Sequence, residues 1–541
     1  MKTSRTLTSS GRGAFVALVV VSAGLLALRL YAASAVGFGD SEALYACYAL
    51  HPQAAYLDHP GAIGWIARLI GGGTAPTPAR AHEVTSALAT LLPWIMAATC
   101  RACGATWGRA FAAAVVVALV PEIAIGLFAL TPDILLALSW TGTLALAAVA
   151  LRSTPGGRLA ALAFAGAGLF AGIAAASKVS GILLICALAA TYASPPARAH
   201  ARTLAPWAGL LASALCVAPI VSFEARAGWP MLKHRLIDTQ LSAGLSPRNC
   251  AAFALGQMVY LSPLVAIIVG RVARTAWRAR SDAVGCLLAT ATFLPALPLI
   301  ALCLWSRVAE PHWIAPALLA LAPAAARTPI GPSRQAVIRA CALAGGLDLA
   351  VHVWALVPSA VRLAPPSYDA RLDLTNELYG WPDVERAIRA ELSAIAPSTS
   401  AADSVVIVAP HWVICAQIAA RLRGYVPVGC DTPVKDDFDS WWPRSRWRDA
   451  DTIIWVTDAR FEGLPPLANR AIRRQVDVRI QRDKRTVRTF TISVLARSGE
   501  AFLDSPRAQP PGGSLRQGWP SPLAPRLEGG PCRRRLPDWA S

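Results

Sequence analysis

Apolar and polar residues are distributed on two length scales along this chain. Up to about residue 358 the apolar residues come in runs of 15 to 23, long enough for membrane helices of roughly 20 residues. The runs predict about eleven spans, near 14–36, 82–100, 109–121, 132–151, 159–176, 179–193, 205–223, 253–270, 283–304, 312–326 and 340–358. Some are short for a hydrocarbon core of about 30 Å at about 1.5 Å per residue, so they end in a cavity or sit where the bilayer thins. Ser177-Lys178 interrupts the stretch 159–193, which predicts two short helices meeting at Lys178.

Beyond residue 358 the pattern shortens. "SVVIVAP" (404–410) and "DTIIWVTD" (451–458) read as buried strands, and "HWVICAQIAARLRG" (411–424) as a helix stopped by Gly424. Alternation across 475–496 around Arg482-Asp483-Lys484 reads as a hairpin. The chain thus divides into a membrane domain over 1–358 with an outer loop over 37–81, an α/β domain over 359–497, and a tail over 498–541. The tail is rich in Pro, Gly and Arg and has too few apolar residues to pack, which predicts disorder. The expected fold class is therefore a polytopic α-helical membrane protein with a small C-terminal α/β domain. No internal repeat or nucleotide-binding glycine motif is present; Gly71-Gly72-Gly73 lacks the Lys and Ser/Thr that would follow it.

Composition agrees. Of 541 residues, 55% are hydrophobic and only 15% charged, against about a quarter charged in soluble proteins. The net charge of +19 comes without a zinc finger, an RNA-binding signature or a basic helix, which excludes nucleic acid as the expected partner. Its arginines sort by side. Arg101, Arg109, Arg152, Arg158, Arg198, Arg271, Arg278 and Arg334 fall between spans on one side. Asp40, Glu42, Asp58, Glu122, Asp133, Glu224, Asp238 and Glu310 fall on the other. The positive-inside rule then places the N-terminus in the cytoplasm and the C-terminal domain in the periplasm of a bacterial inner membrane. Ala33-Ser34-Ala35 has the small-residue pattern of a signal-peptidase site, but the many later spans favour a retained anchor. Most of the twelve cysteines lie in apolar runs as small hydrophobes. Cys415 and Cys430 sit in the outer domain, where an oxidising compartment would allow pairing.

Charged groups near a membrane core cost several kcal/mol unless paired or hydrated. Those expected on the outer side are Asp40, Glu42, Asp58, His59, Glu122, Asp133, Lys178, His234, Arg307, Glu310 and His312, and their common side points to one site. Asp40 and Glu42 are candidate general bases, although two residues apart on a helix they need not act together. In "LTPDILLALSW" Thr131 is a candidate N-cap, Pro132 the first helical residue and Asp133 a first-turn acid. Lys178 either snorkels to the interface or binds a lipid-linked phosphate as a mobile point charge. Arg307, in "WSRVAEPHW", has the same choice, beside Trp305 and Trp313 that suit an interfacial belt. Asp58 with His234 offers carboxylate and imidazole to a divalent cation, without a spacing that specifies one.

At these residues the chain resembles the C-type membrane glycosyltransferases, the superfamily of protein O-mannosyltransferases and lipid A aminoarabinose transferases. "DSEALY" (40–45) and "YLDHPG" (56–61) resemble pieces of that family's first outer loop. "ALTPDILLALSW" (129–140) and "GLFAGIAAASKVSGILL" (168–184) resemble two further stretches, in the same order, over about residues 14–325. Ser41 stands where the family carries Asp before Glu, and Gly61 replaces a second proline.

The resemblance implies transfer of a sugar from a polyprenyl phosphate to a lipid, glycan or protein acceptor on the periplasmic face, with inversion. Asp40 first and Glu42 second would be the base. Lys178, Arg307 and His59 would hold the donor phosphate, with Asp133, Glu310 and His312 in support, and a divalent metal near Asp58 and His234. The rival readings are a transporter or flippase of a lipid-linked anion, for which the paired repeats are absent, and a non-catalytic envelope assembly protein.

Overall fold

The apolar runs fold as helices, and their breaks coincide with prolines, glycines and charges. The computed structural model describes residues 9–240, 243–306, 308–328, 333–395 and 405–497. The expected tail over 498–541 lies outside these residues. Among them, seven helices are long and apolar enough to cross a membrane, and three bent pairs raise the count to ten. The chain is a multi-pass membrane protein.

The helices that frame the site are α1 (Ser9–Ala35), α2 (Asp40–Tyr48), α3 (Ala62–Ile70), α4 (Pro78–Ala102), α5 (Trp107–Leu119), α6 (Pro121–Ala124), α7 (Pro132–Arg152), α8 (Arg158–Ser177) and α9 (Ile182–Ala193). At Val120 the chain bends by 72° from α5 into α6 and a following turn. Lys178 separates α8 from a single 3-10 turn and α9, so two helices do meet there. The helices Pro247–Tyr260 and Pro263–Arg278 bend by 104° at Ser262, whose φ of 67° precedes a proline that disfavours helix. The run 312–326 departs from expectation. It forms a 3-10 turn at Pro311–Ile314 and two short helices, Ala315–Leu318 and Leu321–Arg327. Pro316 and Pro323 remove the amides that one continuous span would need.

Small residues bring the helices close. A β-carbon at Gly168 of α8 would lie 1.8 Å from the Gly209 carbonyl oxygen of the helix Ala205–Ala227. The Ser213 hydroxyl donates to the Gly168 carbonyl at 2.8 Å. Membrane helices use such small-residue contacts in place of hydrophobic burial.

The C-terminal domain is a five-stranded sheet of order β2-β1-β3-β5-β4. Its strands are β1 (Val405–Ala409), β2 (Val428–Cys430), β3 (Thr452–Asp458), β4 (Arg470–Arg482) and β5 (Arg485–Arg497). β1 is parallel to β2 and β3, whereas β5 runs antiparallel to β3 and pairs with β4 as a hairpin. The helix Trp412–Leu422 ends at Arg423 and Gly424, both with left-handed φ. Cys415 and Cys430 are buried free thiols.

The boundary drawn between membrane domain and α/β domain does not separate two cores. One apolar cluster holds Ala43, Leu44 and Ala46 of α2 together with Tyr56, Ile414, Ile418 and Phe490. The Gln417 amide donates to the Phe38 carbonyl at 2.8 Å. The Tyr48 hydroxyl and the Leu57 amide both donate to Asp437, at 3.0 and 3.1 Å. The outer loop is thus folded into the domain that follows it by more than 300 residues.

Gly168→Val forces α8 away from the helix Ala205–Ala227. The expected loss is about 1–3 kcal/mol for overpacking, read as a lower thermal midpoint in detergent.

Candidate functional site

Lys178 leaves α8 in an extended conformation (φ −143°, ψ 139°), which frees its side chain to cross to the start of α7. Its Nζ lies 2.9 and 3.1 Å from the two carboxylate oxygens of Asp133. Thr131 occupies the N-cap of α7 without a side-chain capping bond; the first-turn acid serves Lys178 instead. The Ser177 hydroxyl donates to the Pro132 carbonyl at 2.5 Å and ties the two helix ends together.

A second cation faces the same indole. Lys178 Nζ and the Arg235 guanidinium carbon each lie 5.9 Å from the Trp313 ring centroid. Arg235, on the short helix Pro230–Leu236, pairs with Asp58 at 3.0 Å and donates through Nε to the Asp58 carbonyl at 3.1 Å. His234 Nε2 is 3.7 Å from the Asp58 carboxylate. His59 is buried with its ring 5.5 Å from Tyr45. Burial, then the nearby Arg235, Lys178 and His312, holds its pKa well below the usual histidine range. Burial thus works against a positive charge on this imidazole.

His312 and Glu310 form a pair at 2.9 Å. Burial opposes a charge on His312, but the Glu310 hydrogen bond and the neighbouring Glu122 and Asp133 carboxylates raise its pKa above the usual value. The Lys178, Arg235 and His312 groups therefore gather at the end of the bundle that carries the α/β domain. Arg307, expected beside them, lies outside the described residues.

The two candidate bases are committed elsewhere. Glu42 is 5% exposed and accepts from His82 Nε2 at 2.8 Å, the Leu130 amide at 2.7 Å and the Gly39 amide at 2.8 Å. It caps its own helix and locks α2 to α4 and to the turn before α7. Asp40 faces the α/β domain, where Arg460 Nη2 meets its oxygens at 3.0 and 3.3 Å. Arg460 also pairs with Glu377 at 3.0 Å, and Asp458 behind it holds Arg488 at 2.5 Å. Burial pushes the Asp40 carboxyl up while Arg460 pulls it down, and the balance is upward. Burial, then the Asp40 charge, raises Glu377 to about 7.

The donor set does not fit the expected divalent metal. Among the described residues no group of three or more His, Cys, Asp or Glu side chains is placed to hold a metal ion. The Asp58 oxygen nearest His234 is the one that Arg235 occupies, so a guanidinium stands where a cation would.

An apolar cavity of about 1170 Å³ opens inside the bundle, lined by α1, α5 and the helices Pro263–Arg278 and Arg334–Leu356. Arg101, Arg109 and Arg334 line its end away from the α/β domain, and Glu122 lines the end nearest Lys178.

Residues 58–223 match the family model described as dolichyl-phosphate-mannose-protein mannosyltransferase. No curated protein matches the chain by sequence. Among solved structures, ArnT from Cupriavidus metallidurans bound to undecaprenyl phosphate aligns with a TM-score of 0.58 at 14% identity, over 89% of this chain and 98% of that one. Its apo state aligns with the same score and identity, over 88% and 97%. The archaeal oligosaccharyltransferase AglB from Archaeoglobus fulgidus aligns at 0.46 and 11% identity, over 82% of this chain and 69% of that one. The chain has the C-type membrane glycosyltransferase fold. The family match and the fold agree on a glycosyltransferase.

Within this C-type fold, Lys178 meets Asp133, Asp58 meets His234, and Glu310 meets His312, as their common side anticipated. Arg235, Glu377 and Arg460 were missed. Arg235 sits in "MLKHRLID" beside His234, and nothing in that spacing singles it out from Lys233. Arg460 comes from a strand-end loop 420 residues after Asp40, a separation no local pattern bridges.

Glu42→Ala leaves His82 and two amides buried without their acceptor. A loss of about 3–5 kcal/mol follows, seen as a collapse of the thermal midpoint. A second expectation concerns pH. Glu377 has its folded pKa raised to about 7 from 4.5, so its contribution is fully present below the unfolded value and is lost as pH rises through the folded one. Between those values the wild-type midpoint falls relative to that of Glu377→Gln; parallel curves for the two proteins would refute this.

Proposed function

We propose that this chain transfers a sugar from a polyprenyl phosphate to a lipid, glycan or protein acceptor on the periplasmic face of a bacterial inner membrane. The observation that carries the reading is the pair of cations at the Trp313 ring, one of which, Lys178, is within electrostatic reach of Glu122 in the lining of the apolar cavity. A polyprenyl phosphate needs both parts, a greasy channel for the isoprenoid and fixed positive charge for the head.

Lys178 carries three N–H donors, and Asp133 uses two at most, leaving one for a phosphate oxygen. Arg235 gives Nη2 and Nε to Asp58 and keeps Nη1 without a protein partner among the described residues. The carboxylates hold these cations in place before the ligand arrives, and the cations stabilise charge as it develops on the departing phosphate. Direct displacement forms a bond from the acceptor oxygen to the anomeric carbon while the bond from that carbon to the phosphate oxygen breaks, inverting the configuration. The same kind of head group occupies ArnT, bound to undecaprenyl phosphate in its crystal structure. The periplasmic assignment rests on the arginine-rich segments lying at the opposite end of the bundle.

Lys178→Ala and Arg235→Ala are each expected to weaken binding of undecaprenyl phosphate by at least about tenfold, measured by thermal shift of the detergent-solubilised full chain. Unchanged binding in both would remove the phosphate site. Envelope glycolipids and glycoproteins of a deletion strain, compared by mass spectrometry, would identify the acceptor class.

A further inference from the structure

The outer loop carries three tyrosines between Asp40 and His59, and their hydroxyls differ in what holds them. Tyr48 donates to Asp437 at 3.0 Å. Tyr56 donates to the carbonyls of Tyr48 and His51 at 3.1 and 2.9 Å. Tyr45 is 9% exposed, and among the described residues no hydrogen bond reaches its hydroxyl. Nor is that oxygen sealed inside the core. The ring is buried while the oxygen opens onto the crevice.

We propose that the Tyr45 hydroxyl donates a hydrogen bond to the phosphate of the polyprenyl phosphate, beside Lys178 and Arg235.

The helix that carries it sets the direction. Tyr45 follows Glu42 by three residues in α2, so the two side chains share a face. Glu42 accepts from the Leu130 amide and from His82, which turns that face toward the start of α7. There Tyr45 comes within electrostatic reach of Asp58, Arg235, Asp133 and Glu310. These belong to all three ion pairs of the site, Arg235–Asp58, Lys178–Asp133 and His312–Glu310. The His59 ring, 5.5 Å from that of Tyr45, lies within reach of the cation of each pair. Tyr260, a second phenol there, stands differently: the charges within its reach are Glu310 and Glu122.

The chemistry selects the ligand atom. Burial, then the Asp58 carboxylate, raises the Tyr45 pKa well above the usual phenol range, so the oxygen keeps its proton and acts as a donor. The carboxylates around it already have cations of their own. A nearly buried donor without a protein partner gains most from an acceptor that a ligand brings, and a phosphate oxygen makes that bond charge-assisted. Lys178 and Arg235 meet the phosphate from α7 and from the helix Pro230–Leu236, and Tyr45 adds a donor from α2. This assignment rests on the polyprenyl-phosphate reading above and deepens it.

The test uses the detergent-solubilised full chain, with undecaprenyl phosphate and undecaprenol as paired probes read by thermal shift. Tyr45→Phe keeps the ring and removes only the hydroxyl, so its midpoint without lipid should match that of wild type. It should bind undecaprenyl phosphate about tenfold more weakly and undecaprenol as wild type does. Undiminished binding of undecaprenyl phosphate would overturn the assignment. Equal weakening of both lipids would also overturn it, because the loss would then come from the isoprenoid rather than the phosphate. A wild type that binds undecaprenyl phosphate no better than undecaprenol would overturn the functional reading itself, and this assignment with it.

Discussion

A lysine among membrane helices is costly unless it is paired or hydrated, and Lys178 has Asp133 as its partner. The pair dictates more than one charge. To reach Asp133, Lys178 has to leave helical geometry, so α8 stops at Ser177 and the chain restarts as α9. The short helices that result leave the ammonium on Asp133 and beside the Trp313 ring. Around it the same logic repeats with Asp58 and Arg235, and with Glu310 and His312. Ion pairs buried this way contribute little net stability; their value here is placement.

The α/β domain is a structural member of this arrangement rather than an attachment. It completes the apolar surface of α2, and its Arg460 takes up Asp40 and Glu377 together. With Glu42 bonded to Leu130, three residues before Asp133, α2 is a strut between the sheet and the lysine pair. Its two acids, the most conspicuous in the opening loop, serve as fasteners.

Much of this was legible from residue order. Apolar runs located the spans, and charge asymmetry gathered the polar residues at one end. A single lysine inside a 35-residue apolar stretch marked the break between α8 and α9. What stayed hidden has a common physical cause. The partners of Asp40 and Glu42 are chosen by tertiary packing across 40 to 420 residues, so a carboxylate free for chemistry and one bound as a fastener look alike in a sequence. β2 has three residues and too short an alternation to register. The prolines of 312–326 were visible, but hydrophobicity outweighed them, and the span expected there is three short pieces.

The contact between Gln417 and the backbone of Phe38 joins segments 379 residues apart. A ribosome adding roughly 5–20 residues per second takes on the order of half a minute to cover that distance. Throughout that interval the first loop has emerged and its apolar side has nothing to lie against. Its aromatic residues, Tyr45, Tyr48 and Tyr56, would find the lipid surface in the meantime. The first loop therefore completes its packing only once the α/β domain has been made.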